Sequence, residues 1–399
     1  MLKGQAAPRD LRIDFFRGLA LIFIFWDHIP GNPFGHITLR NVGFSDAAEL
    51  FVFLAGYAAA IAYGRQMQRR GYFGTALHIL RRSWVLYVAH VFLLTQLMAL
   101  LLTVNDHVAT RDFVAEMGLQ YFLDNPKQAL VASTLLSFRP SLMDPLPLYI
   151  VLLLMLAAAL PALIQRPRAT LLLSAGLYVA ALHNDWNFRA QPSGVWYFNP
   201  FAWQLLFFIG AALGIHREAV ARWFAAIDLR LRRRVLMGCS ALLAGGAVIT
   251  LSWQWPAWHD SWMPLALAQW LYPIDKTNLD SVRLLHFLAL ALITAQWVPQ
   301  GIWLQRPLAR AIQLLGRHSL PVFCSGVMLA PLADALNALA GDSFAIQTLT
   351  SLGGIALFWC MAQLLEWYRQ DVGSRPAARP TAEPVAVDNA PASKRSASR

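Results

Sequence analysis

The sequence predicts an all-α polytopic membrane protein with about ten transmembrane helices and both termini in the cytoplasm. Three observations carry that expectation. Of the 399 residues, 57% are hydrophobic and only 14% charged, against about 25% charged in a soluble domain, and the mean hydropathy is +0.45. Apolar runs of about 17 to 25 residues, the length needed to cross a hydrocarbon core, recur along the chain. The Lys and Arg residues gather in alternate connections, as insertion with the positive side inside requires.

The apolar runs place candidate helices near 13–30, 44–64, 83–104, 143–165, 169–183, 198–216, 235–253, 283–300, 317–339 and 344–367. The fifth is the shortest. One set of connections holds most of the basic residues: the N-terminus with Lys3, Arg9 and Arg12, the stretch 65–82 with five arginines, Arg166 and Arg168, the stretch 217–234 with six arginines, and Arg306, Arg310 and Arg317. The opposite connections carry few, among them Arg40, Arg111, Lys127, Arg139, Arg189 and Lys276. This bias puts the basic connections and both termini in the cytoplasm. The formal net charge of +11 is therefore a signature of insertion in a bilayer, and nucleic acid is not an expected partner.

Three parts of the chain are expected: a cytoplasmic N-terminus over 1–12, one integral domain over 13–370, and a tail over 371–399 that is rich in Pro, Ala, Ser and charge and is expected to be disordered. The first apolar run carries Asp27 and His28 and lacks a small-residue cleavage site, so it is expected to stay in the mature protein. Cys239, Cys324 and Cys360 are odd in number and widely spaced, which fits packing residues and points to no metal site. No internal repeat is evident, which counts against transporters built from inverted halves.

Arg17 and His28 interrupt the first apolar run eleven residues apart. At 100° and 1.5 Å per residue, both fall on one helix face, about 16 Å apart along the axis. A cation and an imidazole at that depth cost several kcal/mol unless a partner or a hydrated cavity receives them, so both are expected to face a shared tunnel inside the protein. The competing reading makes Arg17 a snorkelling residue and His28 a helix cap before Pro30.

Further polar clusters lie beside the long outward connections 105–142 and 254–282. Ser45, Asp46 and Glu49 open the second helix, either as caps or with Glu49 deep enough to need a partner such as His28. Asp144 opens the fourth just before two prolines, Pro145 and Pro147, and Tyr149 follows on it. Gln204, in Asn199-Pro200-Phe201-Ala202-Trp203-Gln204, is a buried amide that needs a partner in the bundle. Lys276, Asp280, Arg283 and His286 lead into the eighth helix, where a basic pair at i, i+3 either binds an anionic group or pairs with Asp144 or Asp275. On the cytoplasmic side, His318 and Ser319 begin the ninth helix, with Ser319 as a natural N-cap, and Arg81 and Arg82 face the same compartment.

The stretch Arg12-Ile13-Asp14-Phe15-Phe16-Arg17-Gly18 followed by Asp27-His28 resembles the first helix of membrane-bound acyltransferase-3 proteins, in which an Arg and a His separated by ten residues mark the acyl-transfer helix. With Glu49-Leu50-Phe51-Val52-Phe53-Leu54-Ala55-Gly56-Tyr57, the segment Asp144 to Tyr149, Asn199 to Gln204, Lys276 to His286 and Gly316 to Phe323, the chain resembles the OpgC family over about residues 9–367. Named members of that family succinylate osmoregulated periplasmic glucans.

The resemblance implies a bacterial inner-membrane O-acyltransferase that takes an acyl group, succinyl in those named members, from a cytoplasmic acyl-CoA and places it on a hydroxyl of a periplasmic or cell-envelope glycan. Acyl-CoA is then a substrate, and no tightly bound cofactor is expected. His28 is the candidate general base, because an alcohol is a poor nucleophile near neutral pH. Arg17 would hold the donor's charged end or the oxyanion, and Asp14 and Glu49 would orient His28 or pair with Arg17. Asp144, Tyr149, Gln204, Lys276, Arg283 and His286 are candidates for binding the acceptor. Arg81, Arg82, His318 and Ser319 are candidates for binding acyl-CoA. The alternative is a transporter or flippase of a glycan or lipid-linked sugar, which would use the same polar seam without forming a bond.

Overall fold

The computed structural model describes residues 10–374. Among these the secondary structure is helical, with no strand and one isolated bridge between Arg189 and Val195. The long helices are α1 (Leu11–Asp27), α2 (Ala47–Asn105), α3 (Pro145–Gln165), α4 (Pro167–His183), α5 (Pro200–Ala226), α6 (Leu229–Ser252), α7 (Ser281–Trp297), α8 (Pro307–Arg317), α9 (Ser319–Leu339) and α10 (Phe344–Ser374). Residues 1–9 and 375–399 lie outside the described residues, and with them nearly all of the expected N-terminal segment and tail; residues 371–374 continue α10.

Helix starts follow local chemistry. Asp10, Asn199, Asp228 and Asp280 cap α1, α5, α6 and α7 through side-chain oxygens that accept from backbone N–H groups, and Asp46 and Glu49 close a reciprocal capping box on α2. Pro145, Pro167, Pro200 and Pro307 sit in the first turn of their helices, where a missing N–H is harmless. One expected cap moves: the N-cap position of α9 is His318, not Ser319, and it makes no side-chain cap bond.

The expected connection 65–82 is itself helical, broken only at Gly71, whose φ of 71° is open to glycine at little cost. The chain reverses there. Tyr63 and His78 have ring centroids 6.2 Å apart, whereas fifteen residues of straight helix would separate them by about 22 Å. The expected spans 44–64 and 83–104 are thus the two arms of one hairpin. A second correction concerns 217–234, where α5 runs on to Ala226 through a kink at His216, so that only Ile227 and Asp228 separate it from α6.

Six helical elements of the described residues, α2, α3, α5, α6, α9 and α10, are long and apolar enough to cross a membrane, which makes this a multi-pass membrane protein. The remaining expected spans correspond to α1, α4 and α7, each of 17 residues. At 17 residues they sit at the short limit for a span, so length and composition alone carry six elements, of which α2 folds back as two arms.

Glycines let the central helices touch backbone to backbone, the packing mode favoured where lipid gives no hydrophobic drive. Gly56 rests on the Phe207 carbonyl, and Gly210 and Gly214 rest on the carbonyls of Phe53 and Tyr57, locking α2 to α5. Gly18 and Gly316 do the same between α1 and α8. A Cβ at any of these five positions would collide with backbone. Around these contacts the core holds Phe25, Leu86, Leu97, Leu152, Leu156, Trp203, Leu206 and Phe207, all buried. The large apolar side chains left exposed, such as Met237 and Val248 on α6 and Leu349 and Leu357 on α10, are on helices that a bilayer would surround.

Candidate functional site

Two cavities open inside the bundle, and α1 runs along both. The larger, of about 640 Å³, is lined along α1 by Leu21, Ile24 and His28, and the smaller, of about 90 Å³, by Arg17. These positions recur at i, i+4, i+7 and i+11, one face of a helix, as the spacing of Arg17 and His28 predicts. The cavities meet at Phe51, Pro145 and Phe323, which line both. The space along this face of α1 is thus divided into two adjoining compartments.

His28 ends α1 at its C-cap position and lines the larger cavity, so the cap and the cavity-facing group are the same residue. Its Nδ1 lies 2.5 Å from the Ile24 carbonyl oxygen, which can only accept. The proton of a neutral ring is therefore on Nδ1, and Nε2 keeps its lone pair. Beside it on the cavity wall, Asp27 accepts from Thr38 Oγ1 at 2.6 Å.

The wall opposite is a crossed network of two carboxylates and two cations. Arg283 bonds Glu49 through Nε at 2.7 Å and Nη2 at 2.6 Å and reaches Asp46 at 3.2 Å, while Lys276 Nζ bonds Asp46 at 2.6 Å. Glu49 is fully buried, and its other oxygen accepts from the Asp46 N–H at 2.8 Å. Its partner is thus Arg283 rather than His28, and Arg283 pairs with the start of α2 rather than with Asp144 or Asp275. A buried carboxylate needs such a partner, because an unpaired one costs several kcal/mol.

Lys276 sits in the connection before α7, held by Trp203 Nε1, which donates to the Lys276 and Thr277 carbonyls, and by the Asn199 N–H, which donates to Thr277 O. Burial opposes its charge, but the Asp46 carboxylate, aided by Tyr197 and Glu49, outweighs that penalty and raises the ammonium pKa above the ordinary lysine value of 10.5. Its Nζ also lies 5.7 Å from the Phe198 ring centroid and 5.9 Å from that of Tyr197.

Asp144 lines the same cavity and is held by Arg139 Nε at 3.0 Å, whose guanidinium stacks 4.5 Å over Trp196. His286 stands behind the cavity: Nδ1 is 2.8 Å from Ser45 Oγ, a residue that does line it, and the ring fits against Gly43 and Gly246. The smaller cavity gathers Arg17, Arg82, Tyr149 and Ser319. Arg17 Nη2 donates to the Leu54 carbonyl at 3.2 Å.

Other candidates lie elsewhere. Asp14 is buried on α1 where Gly316 packs, outside the lining of both cavities. Gln204 finds the partner that a buried amide needs in Ser174, whose Oγ donates to Oε1 at 2.5 Å while Nε2 donates to the Ser174 and Phe201 carbonyls. Arg81 is exposed, and His318 Nε2 is 2.9 Å from Glu366. Lining residues that the sequence reading did not single out as site residues include Asp46, Arg40 and Tyr197. Asp46 had a legible signal in the capping pattern Asp46-x-x-Glu49; Arg40 and Tyr197 had none. Among the described residues, no three His, Cys, Asp or Glu side chains converge as a metal would require.

No curated protein and no solved structure matches this chain. A family model described as OpgC protein matches residues 9–370, a stretch that takes in both cavities and all the helices named above except the last four residues of α10; the chain belongs to the OpgC family.

Proposed function

We propose that the protein is an inner-membrane O-acyltransferase that moves an acyl group, succinyl being the first to test, from a cytoplasmic acyl-CoA to a hydroxyl of a periplasmic or cell-envelope glycan. Membership of the OpgC family suggests a membrane-embedded glucan-modifying enzyme. The observation that carries the finer reading is the pair of joined cavities along one face of α1, with an imidazole in one and a guanidinium in the other.

In this reading the acceptor enters the larger cavity, and His28 Nε2 takes the proton from its hydroxyl. The freed oxygen attacks the thioester carbon, the C–S bond breaks, and the departing thiolate takes a proton and leaves as free thiol. Arg17 stands about 16 Å from His28 along the axis, too far for both to act on one carbonyl, so its role is to hold the donor arm. Lys276, a cation on the wall of the His28 cavity, is better placed to balance the oxyanion. Arg82 and Ser319 line the donor's compartment with Arg17, and Arg81 and His318 lie outside it, where the donor's phosphates would be held. Asp144 shares the acceptor's cavity; Glu49 and His286 support its wall through Arg283 and Ser45.

The test is to incubate protein in lipid nanodiscs with succinyl-CoA or acetyl-CoA and a glucan oligosaccharide, and to follow thiol release together with glycan mass. The expected result is equal amounts of free thiol and ester-bearing glycan. A transporter would release no thiol, and that outcome overturns the proposal.

A further inference from the structure

We infer that Phe51, Phe323 and Pro145 form a septum through which the acyl arm threads, and that this septum sets the largest cross-section of acyl group the protein transfers. The inference rests on the acyltransferase reading and adds to it a determinant of donor specificity. These three residues line both cavities, and the two rings stack with centroids 6.2 Å apart and planes 27° from parallel. Phe323 is buried and Phe51 half-buried.

The helix faces around the rings show why the passage narrows there. On α2 the lining residues Ala48, Phe51 and Ala55 share one face with Val52 beside them, and on α9 Ser319, Phe323 and Gly326 share one face with Leu320, Val322 and Val327 beside them. Each set of three follows the i, i+3 or i+4, i+7 pattern of one helix face. Along those faces each phenylalanine lies between small side chains, and its other lining neighbours on the same helix are aliphatic, so the two rings are the bulkiest groups these helices bring to the junction. A group travelling between the Arg17 compartment and the His28 compartment must pass them.

With centroids 6.2 Å apart, the rings need to part only by roughly an ångström or two to admit a slim, unbranched chain, which requires about 3.5–4.0 Å to each face. A branched or aromatic acyl group must push the rings off their packing, and each added carbon at such a constriction discriminates by about 10- to 200-fold. Until the acyl arm has passed them, the same two rings separate the donor compartment from the polar cavity, so they also limit access of its water to the thioester.

The experiment compares kcat/KM for thiol release from acetyl-CoA and benzoyl-CoA, with glucan present, in the wild type, Phe51→Ala, Phe51→Leu and Phe323→Leu. The expected result is that Phe51→Ala raises the benzoyl to acetyl ratio by about tenfold or more, with smaller rises in the leucine variants, which keep the core filled if the alanine variant fails to fold. Thiol release without acceptor is expected to rise in parallel. An unchanged ratio in active variants overturns the septum and leaves the acyltransferase reading standing. A wild type that releases no thiol from these donors or from succinyl-CoA overturns that reading instead.

Discussion

The two compartments along α1 are lined by different sets of charged side chains. In the larger one, Asp46, Glu49, Lys276 and Arg283 interlock, and Asp144 is answered by Arg139, so the polar wall is fixed before any ligand arrives. The smaller one brings Arg17 and Arg82 to a space of about 90 Å³ beside the Tyr149 and Ser319 side chains, and among the described residues no carboxylate lines it. A pre-paired wall suits an uncharged, hydroxyl-rich acceptor, because it presents oriented dipoles without a net charge to satisfy. A cationic lining suits a donor that brings negative charge with it. The difference teaches that the polar seam through this bundle has two chemically distinct ends.

The sharpest way to break that contrast is to silence one end. His28→Ala is expected to lower glycan ester formation by about 10²- to 10⁴-fold while the variant still inserts and folds, read by mass spectrometry of the glycan and by size-exclusion profile. Ester formation at the wild-type rate would remove His28 from the chemistry. Next comes the wall itself: Arg283→Ala leaves Glu49 buried without its cation, and is expected to destabilise the fold by about 3–5 kcal/mol, read as a lower unfolding temperature in detergent. Arg283→Ala paired with Glu49→Ala is expected to recover much of that loss.

At the other end, Arg17→Lys keeps the charge but loses the planar fork. It is expected to lower kcat/KM for acyl-CoA by about tenfold, since a hydrogen bond to a charged group contributes about 1.5–3 kcal/mol, with the acceptor's KM unchanged. An effect on the acceptor's KM instead would merge the two compartments.

The smallest effect on stability belongs to Lys276→Gln, because Asp46 retains Arg283; a loss of about 1 kcal/mol or less of folding free energy is expected. Its pH dependence has a definite sign. The folded-state pKa of Lys276 is raised, so the stabilisation is fully present below the unfolded value and is lost as pH rises through the folded one. The stability gap between variant and wild type should thus be constant through neutral pH and close only in strong alkali. A gap that closes near neutrality would mean that the Asp46 contact does not hold the ammonium.

Much of this was legible in the chain. The spacing of Arg17 and His28 specifies a common face because helix geometry is local, and both side chains do meet cavities on that face. The capping residues Asp46, Asn199 and Asp280 are legible for the same reason. Glu49 shows the limit: its depth in an apolar run demanded a partner, yet nothing local could select Arg283 over His28, since the two lie far apart in the chain and only packing brings α7 to the start of α2. Gln204 carried the same ambiguity until Ser174 on α4 answered it.

By itself the sequence determined that this chain is a helical, multi-pass membrane protein, and which residues begin its helices and share their faces, because hydropathy, capping and the 3.6-residue repeat act within a few residues of chain. Only the tertiary structure decided that the polar seam is two cavities rather than one, that Phe51 and Phe323 stand between them, and which charges are paired. Those outcomes depend on how close two helices approach. Here that is set by glycines such as Gly56 and Gly210 meeting carbonyls on a distant helix.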